Sequence, residues 1–150
     1  RIIIQGNKIA RVSANAAAPP TKDAEVIDAR GLTLLPGLID SHFHLDGDND
    51  LPALYLRHGI TSVRDPGAWI QAYNVLRNSG VPIPRLFLAD PHIDSFGPAY
   101  PEDSVVVRDA DEARNAVNRS IDHGASSIKV YFRLPLSLIK VVTETAHARG

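Results

Sequence analysis

The rhythm of apolar and polar positions changes partway along the chain. Arg1–Ile4 is a short β-branched run, Gln5-Gly6-Asn7 has turn chemistry, and Lys8–Val12 alternates apolar with polar. Gly and Asn tolerate the positive φ of a tight hairpin turn, so the spacing predicts a β-hairpin. Ser13–Asp23, rich in Ala, Pro and Asn, predicts a loop. Ala24–Ala29 predicts a second short strand that turns at Arg30-Gly31. Leu32–Ile39 is apolar around Pro36-Gly37 and runs directly into Asp40-Ser41-His42-Phe43-His44.

Longer elements follow. Helical spacing over Leu51–His58 stops at Gly59, and Ile60–Arg64 is a β-rich run. Ala68–Asn78 predicts a helix closed by Gly80, and Pro84–Ala89 a strand, with an irregular stretch over Asp90–Ser104. Asp109-Ala110-Asp111-Glu112 predicts a helix start, because acidic groups there cap free amides and oppose the helix dipole. That helix runs to about His123, Ser127–Phe132 predicts a strand, and Leu136–Arg149 a last helix. The strand–helix alternation from His42 onward argues for parallel βα units and an α/β fold. Four units are half of a (β/α)8 TIM-like barrel, or a small open sheet. Residues 1–35 read as a separate small β element and residues 36–150 as the βα region.

Composition narrows the function. Sixteen basic and 17 acidic side chains leave a net charge of −1, so no basic excess meets phosphates and nucleic acid is excluded as a partner. With no cysteine, disulfides and thiolate metal ligands are excluded. No apolar run approaches the roughly 20 residues that span a bilayer, so a soluble protein of undetermined compartment is expected. The chain has no Met even at position 1, which suggests a processed or truncated start.

The strongest local signal for chemistry is the pair His42 and His44. On a strand, alternate side chains share a face, so the two imidazoles project together and Phe43 points away. Two neutral imidazoles at a strand end suit a divalent cation such as zinc. Alone, the pattern reads equally as two surface or core histidines; its place at the end of an apolar run, before a helix, favours ligands. Asp40, on the same face, could orient a histidine through its second ring nitrogen. Lys129 alternates with Ile128 and Val130 and would point into the barrel; the alternative is a stem that packs while its amine reaches water. Tyr131 and Arg133 continue that face and could bind a substrate carbonyl or carboxylate, or simply end the strand. His92 could line the pocket or be a solvated loop histidine. Arg64 and Asp65, at the end of the second strand, read as ion-pair or turn residues at least as well as catalytic ones.

Val26-Ile27-Asp28-Ala29-Arg30-Gly31, followed by Leu35-Pro36-Gly37-Leu38-Ile39-Asp40-Ser41-His42-Phe43-His44-Leu45, resembles the start of amidohydrolase-superfamily barrels. Gly59-Ile60-Thr61-Ser62-Val63-Arg64-Asp65 is similar to the second barrel strand of the imidazolonepropionase-like and prolidase-like branch, and Gly124-Ala125-Ser126-Ser127-Ile128-Lys129-Val130 to the fourth. The resemblance implies a (β/α)8 barrel, here its first four units, preceded by part of a small β-sandwich. It implies His42, His44 and Lys129 as metal ligands, with Lys129 carboxylated by carbon dioxide and bridging two divalent ions, zinc foremost. Such ions activate water as hydroxide and polarise a carbonyl, so hydrolysis of an amide, peptide, acyl-amino-acid or ester-like bond of a small molecule is expected. Two further histidines and a proton-shuttle aspartate are expected beyond residue 150, which leaves no catalytic acid or base in this chain. The alternatives are a mononuclear deaminase of the same superfamily and a non-catalytic, truncated metal-binding α/β chain. The expected partner is the remainder of the barrel or a homo-oligomer copy.

Overall fold

A computed structural model describes residues 1–14 and 22–150; most of the loop predicted over Ser13–Asp23 lies outside the described residues. Two compact units divide the chain, Arg1–Leu35 and Pro36–Gly150. In the first, β1 (Ile2–Gln5) and β2 (Lys8–Val12) pair antiparallel around Gly6, whose φ of 59° lies in the left-handed region that favours glycine. The predicted strand over Ala24–Ala29 does not form. Asp28 instead accepts Arg30 N (3.1 Å) and holds its guanidinium (2.6 Å), a local turn that competes with pairing.

The second unit carries the predicted alternation. β3 (Leu38–Asp40), β4 (Ile60–Asp65) and β5 (Arg85–Leu88) form a parallel sheet in that order. α1 (Leu51–Arg57) connects β3 to β4. Between β4 and β5, the predicted helix over Ala68–Asn78 is instead a 3-10 turn, Ile70–Tyr73, followed by α2, Asn74–Asn78. Ile70 and Tyr73 of the turn and Leu76 of α2 are buried and join one core.

The stretch expected to be irregular contains one strand, β6 (His92–Asp94), and a 3-10 turn at Pro101–Asp103, and at its end β7 (Ser104–Val106) begins and pairs with β6 in parallel. The predicted strand over Ser127–Phe132 is reduced to one parallel bridge, Ile93 to Val130. The chain nonetheless runs alongside β5 and β6: Ser126 N donates to Leu88 O (2.7 Å), Ile93 N to Lys129 O (2.8 Å) and Tyr131 N to Ile93 O (2.9 Å). Asp90 at φ 62° turns the neighbouring backbone and Pro91 offers no N–H, so a continuous ladder cannot form there.

α3 (Ala110–Asp122) starts as predicted: Asp109 accepts the amides of Asp111 and Glu112 at 2.9 and 2.8 Å. Its buried face, Ala113, Ala116, Val117 and Ser120, has i, i+3, i+4, i+7 spacing and joins Leu138 and Val142 of α4 (Leu136–Ala148) in one core with Ile93, Val107 and Leu134. A second core gathers Phe43, Leu45, Val63, Ile70, Tyr73, Leu76 and Leu88 beside the β3–β4–β5 sheet. No described helix is long and apolar enough to cross a membrane.

Gly37 governs the approach of β3 to β4, since a Cβ there would lie 2.2 Å from Thr61 Cγ2 and 2.7 Å from Thr61 Cβ. Gly37→Ala is therefore expected to lower stability by about 1–3 kcal/mol through overpacking, read as a shift in urea midpoint. Asp109→Ala should cost about 1 kcal/mol through loss of the α3 cap.

Candidate metal centre

The site begins with the alternation that follows β3. Phe43 and Leu45 are 2% exposed and enter the core, whereas His42 and His44 are exposed on the opposite side with ring centroids 5.1 Å apart. The end of β4 holds this segment. Phe43 N donates to Arg64 O (2.9 Å), and Arg64 Nε donates to Ser41 O (2.9 Å). Leu45 N donates to the Asp65 carboxylate (3.2 Å). Asp40 Oδ1 accepts His42 N (3.0 Å), so it caps the turn through the backbone rather than contacting an imidazole ring.

Asp65 is the residue that sequence reasoning undervalued. It is 1% exposed, and its four hydrogen-bond partners include Tyr73 Oη at 2.7 Å. Burial and the neighbouring carboxylate push the Tyr73 phenol well above its usual range, so it stays a neutral donor. His44 Nδ1 lies 3.7 Å from Asp65 Oδ1. The available signal was a charged residue following the buried Val63 at the end of an apolar strand, where an acid needs partners.

Lys129 is half-buried and, with His42, Arg64, Pro66 and Ala89, lines a cavity of about 290 Å³. The expected orientation of its neighbours holds, because Ile128 and Val130 pack against the core of α3 and α4. Lys129 Nζ sits 5.2 Å from the Tyr131 ring centroid. Tyr131 in turn packs on His92 (4.6 Å between centroids) and on Tyr100 (5.9 Å). The structure thus brings His42 together with His44 and with Lys129, and Lys129 together with Tyr131 and His92.

His92 is not a solvated loop residue: it is 4% exposed, and its Nε2 is paired with Ser104 Oγ at 2.8 Å. Arg133 is exposed and engaged away from the histidines; its backbone N donates to Asp94 Oδ1 (3.1 Å) and its guanidinium to the Gly97 carbonyl. Asp94 is fully buried, and its Oδ2 has no hydrogen-bond partner among the described residues.

The donor set fits part of a divalent-cation site. Two imidazoles share one face, and an amine that carboxylation would convert to an anionic ligand opens on the cavity His42 lines. Among the described residues, no three His, Cys, Asp or Glu side chains gather to complete it.

No protein-family model matches the chain. It aligns over 99% of its length with the crystal structure of an amidohydrolase, at 26% identity and TM-score 0.79, covering 49% of that protein. The fold resembles that of an amidohydrolase. A prolidase crystallised with N-methylphosphonate-L-proline shares the fold, at 24% identity and TM-score 0.73, over 99% of this chain and 48% of that one. Adenine deaminase 2 of Rhizobium etli is 46% identical over 55 residues, 34% of this chain and 9% of that enzyme. The chain thus spans about half the length of these solved amidohydrolase-like structures.

Burial lowers the His92 pKa below its ordinary 6.5, with Asp94 opposing and Lys129 adding to the shift. As pH falls through 6.5 the unfolded chain takes up this proton before the folded one does, so stability drops with falling pH until the lower folded value is passed. Urea midpoints measured from neutrality downward should show this fall, and His92→Gln should flatten it.

Proposed function

We propose that the protein is a metal-dependent hydrolase acting on an amide, peptide or ester-like bond of a small molecule. His42, His44 and a carboxylated Lys129 are its metal-ligating residues. In this reading Pro36–Gly150 supplies the first four units of a (β/α)8 barrel, and residues 1–35 belong to a small β-sandwich. The observation that carries it is that His42 and Lys129, far apart in sequence, line one cavity. The overall likeness to an amidohydrolase structure supports the same reading.

Each residue has a definable task. His42 and His44 present their imidazoles, held by hydrogen bonds between β4 and the backbone beside them. Lys129, as a carbamate, would be an anionic oxygen ligand for divalent ions such as zinc. Divalent cations supply Lewis-acid chemistry, polarising a carbonyl and acidifying water. Tyr131, beside Lys129, offers a hydroxyl to substrate; burial and Tyr100 raise its pKa, which keeps it a donor at neutral pH. Arg133 offers a guanidinium to a substrate carboxylate by exchanging its Gly97 partner. His92 serves the substrate side by backing the Tyr131 ring. The two further histidines and the proton-shuttle aspartate would come from outside these residues.

The match to adenine deaminase favours a second reading, a mononuclear deaminase. Lys129 separates the two. Native mass spectrometry with bound metal counted should find two divalent ions and a carboxylated lysine in the hydrolase. Lys129→Ala should then lose metal together with turnover of dipeptides, acylated amino acids or esters. One ion beside an unmodified Lys129 would instead establish the deaminase reading.

A further inference from the structure

Asp65 is built into the interior more firmly than a turn residue requires. Its Oδ1 accepts Gly67 N (3.0 Å) and Ala68 N (3.2 Å), and its Oδ2 accepts Leu45 N (3.2 Å) and Tyr73 Oη (2.7 Å). All four partners are donors, which suits a carboxylate that only accepts. With both oxygens fixed, the group cannot turn away from what lies beside it, and what lies beside it is the His44 ring. Nδ1 stands 3.7 Å from Oδ1, and the ring edge at Cε1 would be 3.8 Å from a Cβ placed on Gly67.

That separation exceeds a formed hydrogen bond, yet it decides the sign of the electrostatics. A proton on Nδ1 facing the carboxylate is attracted, whereas a lone pair there is repelled. A neutral imidazole protonated at Nδ1 carries its lone pair on Nε2, at the far side of the ring from Asp65. We propose that Asp65 is a positioning residue that fixes His44 in its Nδ1–H tautomer and so presents Nε2 as the donor atom to a divalent cation. The cation in this statement rests on the hydrolase reading above; the tautomer does not.

The test separates the two. In the metal-free full chain with 15N-labelled histidine, long-range 1H–15N correlation should give His44 a pyrrole-like Nδ1 and a pyridine-like Nε2. Asp65→Asn should mix the two tautomers and weaken Zn2+ binding, followed by calorimetry, about 10- to 100-fold. Tyr73→Phe removes one of the four donors but keeps the carboxylate, so it should change stability and leave both the tautomer and the Zn2+ affinity in place. That contrast distinguishes a positioning role from a structural one. If Asp65→Asn does not fold, the wild-type and Tyr73→Phe spectra still decide. A wild-type His44 protonated at Nε2 overturns the proposal, as does an Asp65→Asn protein with unchanged tautomer and Zn2+ affinity. A wild-type chain with the Nδ1–H form that binds no Zn2+ overturns the presentation of Nε2 to a cation and leaves the tautomer assignment standing.

Discussion

A carboxylate withdrawn from water is costly unless every lone pair finds a donor, and Asp65 meets that demand with donors from three separate places in the chain. Leu45 contributes from the segment after β3, Gly67 and Ala68 from the turn after β4, and Tyr73 from the 3-10 turn. None of these can move without stranding a buried charge. The fixed positions of His42 and His44 follow, because the backbone between and beyond them is pinned by Arg64 and Asp65. The core formed by Phe43, Val63 and Tyr73 closes over the same point, so packing and polar bonding reinforce one arrangement.

Much of this was legible in the sequence where one local rule dominated. The α3 cap at Asp109, the stop of α1 before Gly59 and the alternation of His42, Phe43, His44 and Leu45 each follow from a single short-range cause. The errors arose where a non-local partner decides the outcome. Ala24–Ala29 has strand character, but among the described residues no ladder receives it, and Asp28 closes a turn instead. Ser127–Phe132 has the same character, and the kinked backbone at Asp90 and Pro91 beside it permits only one bridge. β6, within Asp90–Ser104, and β7, which begins at its last residue, were hidden because each is three residues long and finds its partner across a turn. Burial of Asp65 could not be seen either, since its donors are scattered over nearly thirty positions.

Fold likeness and chemistry make separate contributions to the functional reading. The alignment with an amidohydrolase extends over almost the whole chain, yet the proteins that the chain resembles also include one named a prolidase and one named an adenine deaminase, and a shared fold does not choose between them. The amine at Lys129, half-buried beside an aromatic ring and opening on the cavity of His42, is the feature of this chain that bears on the choice.

The kink at Asp90 also has a consequence for how the protein can change. It divides what would be one strand into β5, which is paired with β4, and β6, which is held by β7 on one flank and by Ile93's bridge to Val130 on the other. Because β6 is anchored on both flanks, residues 95–103 form a tethered excursion with fixed ends, carrying Phe96 and Tyr100 at the surface. Insertions or substitutions there leave the two histidines untouched while altering the aromatic surface next to Lys129. Tyr100 and the two histidines thus sit on separately mutable segments, so the surface beside Lys129 can vary without rebuilding the backbone that holds His42 and His44.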